Sequence, residues 1–221
     1  LTNSIDTKDN LLFKSGIRKW KTAMEHSIPL SATFSLFTYV NVTPTIDYHE
    51  RWYTRKVMKE YDMDKKQLEQ SDTIYGFNRV YDYRMSVSLN TKLYGMYKPI
   101  FLKKKEILIR HVITPTVTIS GAPGFKQFYE DYTDAFDKKL HYSPFEGQPY
   151  GVPSHDGSGM VNFELSNNLE MKYKLPNDSI KKISLIDEFS VGMSYDLAAK
   201  EKPWGDLDLS LIHISEPTRP I

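Results

Sequence analysis

Ile28-Pro-Leu-Ser-Ala-Thr-Phe-Ser-Leu36 is the stretch that decides the fold, because apolar and polar residues alternate along most of its length. In an extended chain Ile28, Leu30, Phe34 and Leu36 share one side, whereas the serines and the threonine share the other. A period of two residues predicts a β-strand with one apolar face and one polar face.

The same alternation recurs along the chain. It is seen in Val40–His49, Tyr81–Asn90, Ile107–Ile119, Val161–Tyr173 and Ile183–Leu197, and Asp206–Ser210 begins a further run. Each of the complete runs has roughly 9 residues or more, which exceeds an ordinary globular strand and suits a tilted membrane strand. The pattern predicts an all-β fold, an antiparallel meander of about six to seven long strands.

The connections between these runs differ in length. Phe37–Tyr39 and Leu175–Lys181 are short, and Tyr94–Glu106 is intermediate. Lys59–Thr73 is a long charged loop, and Gly121–Gly159 is very long and contains many glycine, proline and tyrosine residues. Short turns at one end of the strands and long loops at the other are typical of outer-membrane barrels.

Backbone hydrogen bonding favours a closed barrel for such strands. In lipid no water can satisfy a free N–H or C=O, so only a closed sheet is stable there. The smallest barrels of this kind have about eight strands, so this chain is predicted to be an arc of a large transmembrane β-barrel. Pro44 and Pro115 lie inside strand patterns, and each is expected to mark a local weakness or bulge because proline has no N–H for a ladder hydrogen bond.

The two faces of the predicted sheet give two candidate surfaces. The lipid-facing set is Leu30, Phe34, Leu36, Val42, Ile46, Tyr83, Val87, Ile113, Val117, Phe163, Leu165, Phe189 and Val191. The lumen-facing set is Asp82, Arg84, Glu164, Glu170 and Lys172. The lumen-facing charges either contact a passing glycan or a plug, or pair with one another around water. Tyr81, Tyr83, Tyr173 and Tyr195 are interpreted as an interfacial aromatic girdle rather than as a soluble core.

The composition excludes several classes of function. Lys+Arg 29 against Asp+Glu 28 gives a net charge of +1, which argues against a nucleic-acid-binding protein. The absence of cysteine excludes disulfides and thiolate metal sites. No apolar run has the ~18 residues of a membrane helix. We expect no catalytic residue, no metal site and no cofactor.

Three local motifs invite sharper interpretations. Ser154-His155-Asp156 has the residue types of a hydrolase triad, but adjacent residues do not converge in triad geometry, so a loop turn is preferred. Glu130, Asp131, Asp134 and Asp137 are either calcium ligands or a solvated acidic loop, and the solvated loop is preferred. Lys103–Lys105 either meets lipid phosphates or forms a solvated periplasmic turn, which is again preferred.

The chain divides into three parts by this interpretation. Residues 1–26 form an incoming extracellular loop, with a short helix expected within Leu11–Glu25. Residues 27–210 form the partial outer-membrane β-barrel. Residues 211–221 resemble the translated read-through of a sequencing adapter and are expected not to belong to the protein.

Several stretches resemble the C-terminal barrel domain of the LptD-like family, and the resemblance covers the chain from about Asn3 to Ser210. The more specific of them are Arg110-His-Val-Ile-Thr-Pro115 and Ser166-Asn-Asn-Leu-Glu-Met171. Supporting stretches are His26-Ser-Ile-Pro-Leu-Ser-Ala-Thr-Phe34, Glu50-Arg-Trp-Tyr53, Ser88-Leu-Asn-Thr-Lys-Leu-Tyr-Gly95 and Lys182-Ile-Ser-Leu-Ile-Asp187.

The resemblance implies transport without enzymatic chemistry. Members of this family insert lipopolysaccharide into the outer leaflet of the outer membrane of a Gram-negative-type bacterium. The implied partners are lipopolysaccharide, outer-membrane lipids, a plug lipoprotein similar to LptE and a periplasmic bridge protein similar to LptA. The alternatives are another large barrel, such as a porin or a TonB-dependent receptor, or a soluble β-sandwich that binds ligands at the cell surface.

Overall fold

The computed structural model describes residues 2–4, 20–98, 107–174 and 179–212. The strands are β1 (Thr2–Ser4), β2 (Lys21–Ser31), β3 (Phe34–Leu36), β4 (Val40–Asp62), β5 (Gln67–Thr91), β6 (Leu93–Tyr97), β7 (Ile107–Ala122), β8 (Glu130–Thr133), β9 (Lys139–Tyr142), β10 (Ser158–Lys174), β11 (Ile180–Asp196) and β12 (Asp208–Ile212). A single 3₁₀ turn, Lys126–Phe128, accompanies them in this part of the chain. No helix among the described residues is long and apolar enough to cross a membrane.

The main sheet follows the chain order with few departures. Its strand order is β1-β2-β4-β5-β7-β10-β11-β12, with β3 beside β4 and β6 beside β7, while β8 and β9 form a separate hairpin. The β10–β11 pair runs antiparallel from Met160 opposite Asp196 to Lys174 opposite Ile180. The predicted all-β antiparallel meander is therefore confirmed.

Interruptions of the ladder occur at the prolines, as expected. β2 and β3 are separated at Ala32 and Thr33, and the Ala32 N–H donates to the Pro44 carbonyl oxygen at 3.2 Å. Pro44 cannot return a hydrogen bond, so the ladder stops there. β6 pairs with β7 through Leu93 opposite Ile113, which places the break between β5 and β6 near Pro115.

The predicted short turn at Phe37–Tyr39 is confirmed between β3 and β4. Phe37 and Thr38 both have positive φ, 49° and 69°. This left-handed backbone matches the twist of a tight hairpin.

The predicted loop over Lys59–Thr73 is wrong in extent. β4 continues to Asp62 and β5 begins at Gln67, so only residues 63–66 connect them. The Asp62 carboxylate accepts the N–H groups of Asp64 and Lys65 at 2.9 and 3.1 Å, which closes the turn. This end of the hairpin carries polar residues on both sides, so it gives no two-residue hydrophobic period.

Other element boundaries also differ from the predictions. Lys21–Glu25 belong to β2, which pairs with β1 through Thr2 opposite Ala23, so the helix predicted within Leu11–Glu25 is wrong for residues 21–25. Ala23 lies among longer, mostly polar side chains, so no two-residue apolar period marks the start of this strand in the sequence. Residues 94–97 of the predicted connection Tyr94–Glu106 belong to β6, whereas residues 99–106, including Lys103–Lys105, lie outside the described part.

The remaining predicted connections and the tail lie partly outside the described residues. Residues 175–178 of the predicted short turn are among them, as are residues 11–19 of the predicted helix and residues 213–221. Leu211 and Ile212, which we assigned to the foreign tail, continue β12 opposite Phe189 and Glu188.

The described residues pack as two compact units. Unit 1 draws on the described residues within 1–30, 46–85 and 121–158, and unit 2 on those within 31–45, 86–120 and 159–221. Unit 1 contains the core cluster, in which Ala23, Tyr53, Val80 and Phe145 are buried. Tyr53 is 1% exposed and Val80 is fully buried.

The long loop, residues 123–157, is an ordered part of unit 1. Phe145 stacks on Tyr53 with ring centroids 5.7 Å apart, and Phe128 packs against the same cluster. The Val57 N–H donates to the Pro144 carbonyl at 2.8 Å, so the loop also satisfies backbone groups of β4. The Tyr53 hydroxyl donates to the Gly151 carbonyl at 2.6 Å. The loop predicted over Gly121–Gly159 is therefore a packed segment of residues 123–157, with hairpin β8–β9 inside it.

Phe145 should hold the long loop on the sheet. Phe145→Ala removes a buried ring and should weaken loop attachment by roughly 3 kcal/mol. The matched control is Phe136→Ala, because Phe136 lies in the same loop and is 79% exposed. Limited proteolysis and hydrogen exchange should show faster opening of the long loop only in Phe145→Ala, and equal opening in both variants would contradict this packing role.

Candidate functional site

The apolar face predicted from the sequence is largely open in the described chain. Leu30, Phe34, Leu36, Ile46, Val87, Phe163 and Leu165 are exposed, and Tyr83, Ile113, Val117, Phe189 and Val191 are half-buried. Val42 is buried, opposite Phe34 in the β3–β4 pair. Exposed apolar residues that follow one face of a strand, such as Phe163 and Leu165 of β10, are a candidate contact surface for lipid or for another protein.

The polar face carries a ladder of hydroxyl and amide contacts between strands. The Thr45 and Ser86 hydroxyls are 2.6 Å apart, and the Asn41 amide donates to the Asn90 side-chain oxygen at 3.2 Å. The Thr118 hydroxyl donates to Ser88 Oγ at 3.1 Å. Such pairs satisfy each other across neighbouring strands and leave a hydrophilic surface.

Asp82 of the lumen-facing set belongs to a charge cluster in unit 1. The Arg51 guanidinium donates to the Asp82 carboxylate, and its Nε donates to Glu25 at 3.2 Å. Arg51 is only 12% exposed. This cluster joins three strands, β2, β4 and β5. Glu25 and Arg51 were not among the predicted site residues, although both lie on the polar face that the alternation gives to their strands.

The other residues of the lumen-facing set have surroundings of their own. Arg110 lies 3.6 Å from the Glu170 carboxylate, and its guanidinium lies over the Tyr94 ring. Lys172 is opposite Lys182 in the β10–β11 register. Arg84 and Glu164 are exposed. Asp82 and Arg84 belong to unit 1, whereas Glu164, Glu170 and Lys172 belong to unit 2.

Glu164 lines a groove of about 550 Å³ between β10, β11 and β12, whose apolar lining residues are Met160, Phe163, Met193 and Leu209. Asn162, Ser190, Ser194 and Asp208 share this groove. Hydroxyl, amide and carboxylate groups together can accept and donate hydrogen bonds to a polyhydroxylated ligand.

An aromatic and polar network is formed by residues of β4 and β5 that alternate with Arg51 and Asp82. The Glu50 carboxylate accepts hydrogen bonds from the Tyr48 hydroxyl at 2.5 Å, the Trp52 indole at 2.6 Å and Arg79 at 2.8 Å. Arg79 also lies over the Tyr81 ring.

The predicted girdle residues have aromatic partners. Tyr81 and Tyr83 contact Phe125 edge-on. Tyr195 contacts Trp204 in the same manner.

The motifs of the long loop have local partners. The Ser154 hydroxyl donates to the Asp156 carbonyl at 2.9 Å rather than to the His155 ring, which stacks on His141. The Asp134 carboxylate accepts the Phe136 and Lys138 N–H groups. Among the described residues, no three histidine or acidic side chains are grouped as metal ligands would be.

Glu146 anchors the long loop to β4 by charge. Its carboxylate accepts a hydrogen bond from Lys59 Nζ at 2.5 Å and another from the Ser143 N–H at 3.1 Å. Desolvation raises the pKa of Glu146, but these hydrogen bonds outweigh it and the pKa lies below its usual value. Burial raises the pKa of Tyr129, whose hydroxyl donates to the Pro153 carbonyl.

The family model described as LptD protein matches residues 1–214, which confirms the resemblance stated from the sequence. No curated protein and no solved structure matches the chain.

Arg51 should be needed for the stability of unit 1. Removing one partner of a fully buried ion pair costs roughly 3–5 kcal/mol, and because this cluster is partly exposed we expect about 2 kcal/mol for Arg51→Gln. The matched control is Arg84→Gln, because Arg84 is an exposed arginine on the neighbouring strand, and it should change stability by less than about 0.5 kcal/mol. Urea unfolding of the folded protein in detergent measures both, and equal effects would contradict the cluster.

Attachment of the long loop should depend on pH through Glu146. A carboxyl with a lowered folded-state pKa contributes stability above its unfolded pKa of about 4.3, and that contribution is lost as pH falls through the folded pKa. Loop proteolysis should therefore be constant near neutral pH and accelerate only below about pH 4.3. Glu146→Gln should remove the Glu146 contribution to this dependence, and an unchanged acid response in that variant would refute the assignment.

Proposed function

This chain belongs to the LptD protein family, which supports lipopolysaccharide transport at the outer membrane, and we propose that it forms part of the translocon wall. In this role the sheet is an arc of a large transmembrane barrel that inserts lipopolysaccharide into the outer leaflet. The role is transport without covalent chemistry, and it uses no cofactor. The observation that carries the proposal is a sheet with exposed apolar side chains on one face and polar side chains on the other. It is joined by the family match over nearly the whole chain.

The apolar face supports lipid contact. Phe163 and Leu165 remain exposed at successive positions of one face of β10, and Glu164 between them points to the other. Exposed apolar side chains on a paired strand gain by contact with acyl chains, whereas the backbone groups are already satisfied within the sheet.

The polar face supports contact with the sugar part of the lipid or with a plug. Asp82 and Glu170 are paired with arginines, so we assign them mainly to the stability of the wall. Arg84, Glu164 and Lys172 are the members of the lumen-facing set that we propose for contact. The proposed partners are lipopolysaccharide, the surrounding outer-membrane lipids, a plug lipoprotein similar to LptE and a bridge protein similar to LptA.

A soluble surface β-sandwich is the competing function from another class. It requires a second layer to cover Phe163, Leu165 and Val87, because a sandwich buries one face of each sheet. Within the described residues those side chains are exposed. A porin or nutrient receptor would share the lipid-facing wall, so only a transport measurement separates it from the proposed function.

Phe163 and Glu164 test the two faces at adjacent positions. Spin labels at Phe163→Cys and Glu164→Cys, in the full-length protein without other cysteines, should report opposite environments in bilayers. Oxygen should collide more often with the label at position 163, and a water-soluble nickel chelate with the label at position 164. Equal accessibility to the two reagents, or folding without detergent or lipid, would support the sandwich instead.

Delivery of lipopolysaccharide tests the function itself. Depletion of the full-length protein should stop newly made lipopolysaccharide from reaching the cell surface, measured by surface labelling. A porin or a nutrient receptor would leave surface delivery unchanged while altering solute uptake.

A further inference from the structure

A small polar groove lies in unit 1 where the long loop meets β4 and β5. Its volume is about 290 Å³, near the lower end of the ~300–1,000 Å³ of small-molecule sites. β4 and β5 supply Lys56, Phe77, Asn78 and Arg79, and the long loop supplies Gln127 and Glu130. A groove of this size fits one sugar residue better than an acyl chain.

Two cationic side chains of the groove can donate to an anion. Lys56 and Arg79 are these cations, Glu130 is a carboxylate of the lining, and Arg79 is also paired with Glu50 at 2.8 Å. Arg79 donates to Glu50 and Tyr48 through Nη2, so three of its N–H donors are not engaged by those bonds. A guanidinium and an ammonium together suit the oxygens of a phosphate group.

The uncharged groups of the groove suit a sugar ring. Phe77 is 71% exposed, and its ring is held by an edge-on contact with Trp52 at 5.5 Å. Gln127 and Asn78 add amides, which can both donate to and accept from hydroxyls. An exposed, fixed aromatic ring beside amides offers a sugar an apolar surface and polar partners at once.

The wall of the groove is anchored rather than loose. Phe145 and Pro144 close one side, and they are held by the Tyr53 stack and by the Val57 N–H. A groove formed in advance binds without first ordering its loop, which reduces the entropy lost on binding.

We propose that this groove binds a phosphorylated sugar of lipopolysaccharide through Lys56, Arg79 and the Phe77 ring. The proposal rests on the proposed function, and it adds a headgroup site on unit 1 to the transport role. The groove takes the anionic sugar part and leaves the acyl chains to the apolar face.

The test uses the full-length protein in detergent and deacylated lipopolysaccharide, a soluble phosphorylated oligosaccharide, as the probe. Binding is measured by calorimetry for the wild type, Lys56→Gln, Phe77→Ala and Glu130→Gln. Lys138→Gln is the matched control, because Lys138 is an exposed lysine of the same loop that does not line the groove. Enzymatically dephosphorylated oligosaccharide is the second ligand.

We expect Lys56→Gln and Phe77→Ala each to weaken binding at least fivefold, whereas Lys138→Gln binds as the wild type does. Glu130→Gln should tighten binding two- to threefold, because it removes the opposing charge, and a purely structural role would not produce this sign. Dephosphorylated probe should bind the wild type at least fivefold more weakly. Wild-type affinity in Lys56→Gln, or equal affinity for both probes, would overturn the proposal.

The two proposals fail in different measurements. If wild-type protein delivers lipopolysaccharide to the surface but does not bind the soluble probe, only the headgroup site is wrong. If delivery continues after depletion, the proposed function is wrong whatever the probe does.

Discussion

Backbone hydrogen bonding within one antiparallel sheet is the constraint on which the rest of this structure depends. It fixes successive side chains on opposite faces, so a single strand such as β10 can present Phe163 to one environment and Glu164 to another. It also satisfies the N–H and C=O groups that lipid cannot satisfy. The apolar stripe and the polar ladder are therefore two consequences of the same pairing.

The long loop supplies the second layer of the hydrophobic core of unit 1, which the sheet alone does not provide. Tyr53 and Val80 belong to β4 and β5 beyond the alternating runs, and a hydrophobic core built on them needs a second layer. Phe145 provides that layer over Tyr53 and Val80, and the Pro144 carbonyl accepts the Val57 N–H. A long connection rich in aromatics is therefore a structural part of this unit, and the headgroup groove lies along its boundary with β4 and β5.

The sequence predicted the strands well wherever one face is apolar, because period two is visible only there. β7, β10 and β11 are of this kind. The end of the β4–β5 hairpin was taken for a loop because its two faces are both polar. The packing of Phe145 on Tyr53 and the pairing of Arg51 with Glu25 are contacts between residues far apart in sequence, which no local pattern encodes. Asp82 was recognised as a polar-face residue, but its partner was not.

The stretches that carry the family resemblance have structural roles that can be stated residue by residue. In Glu50-Arg-Trp-Tyr53, Glu50 and Trp52 join the aromatic network, Arg51 holds the charge cluster and Tyr53 fills the core. In Ser166-Asn-Asn168, the two amides donate to the Phe189 and Asp187 carbonyls beside a register shift in the β10–β11 pair. Pro44 and Pro115 lie at breaks in the ladder. These side chains shape and stabilise the sheet, as the proposed role in a transport wall requires.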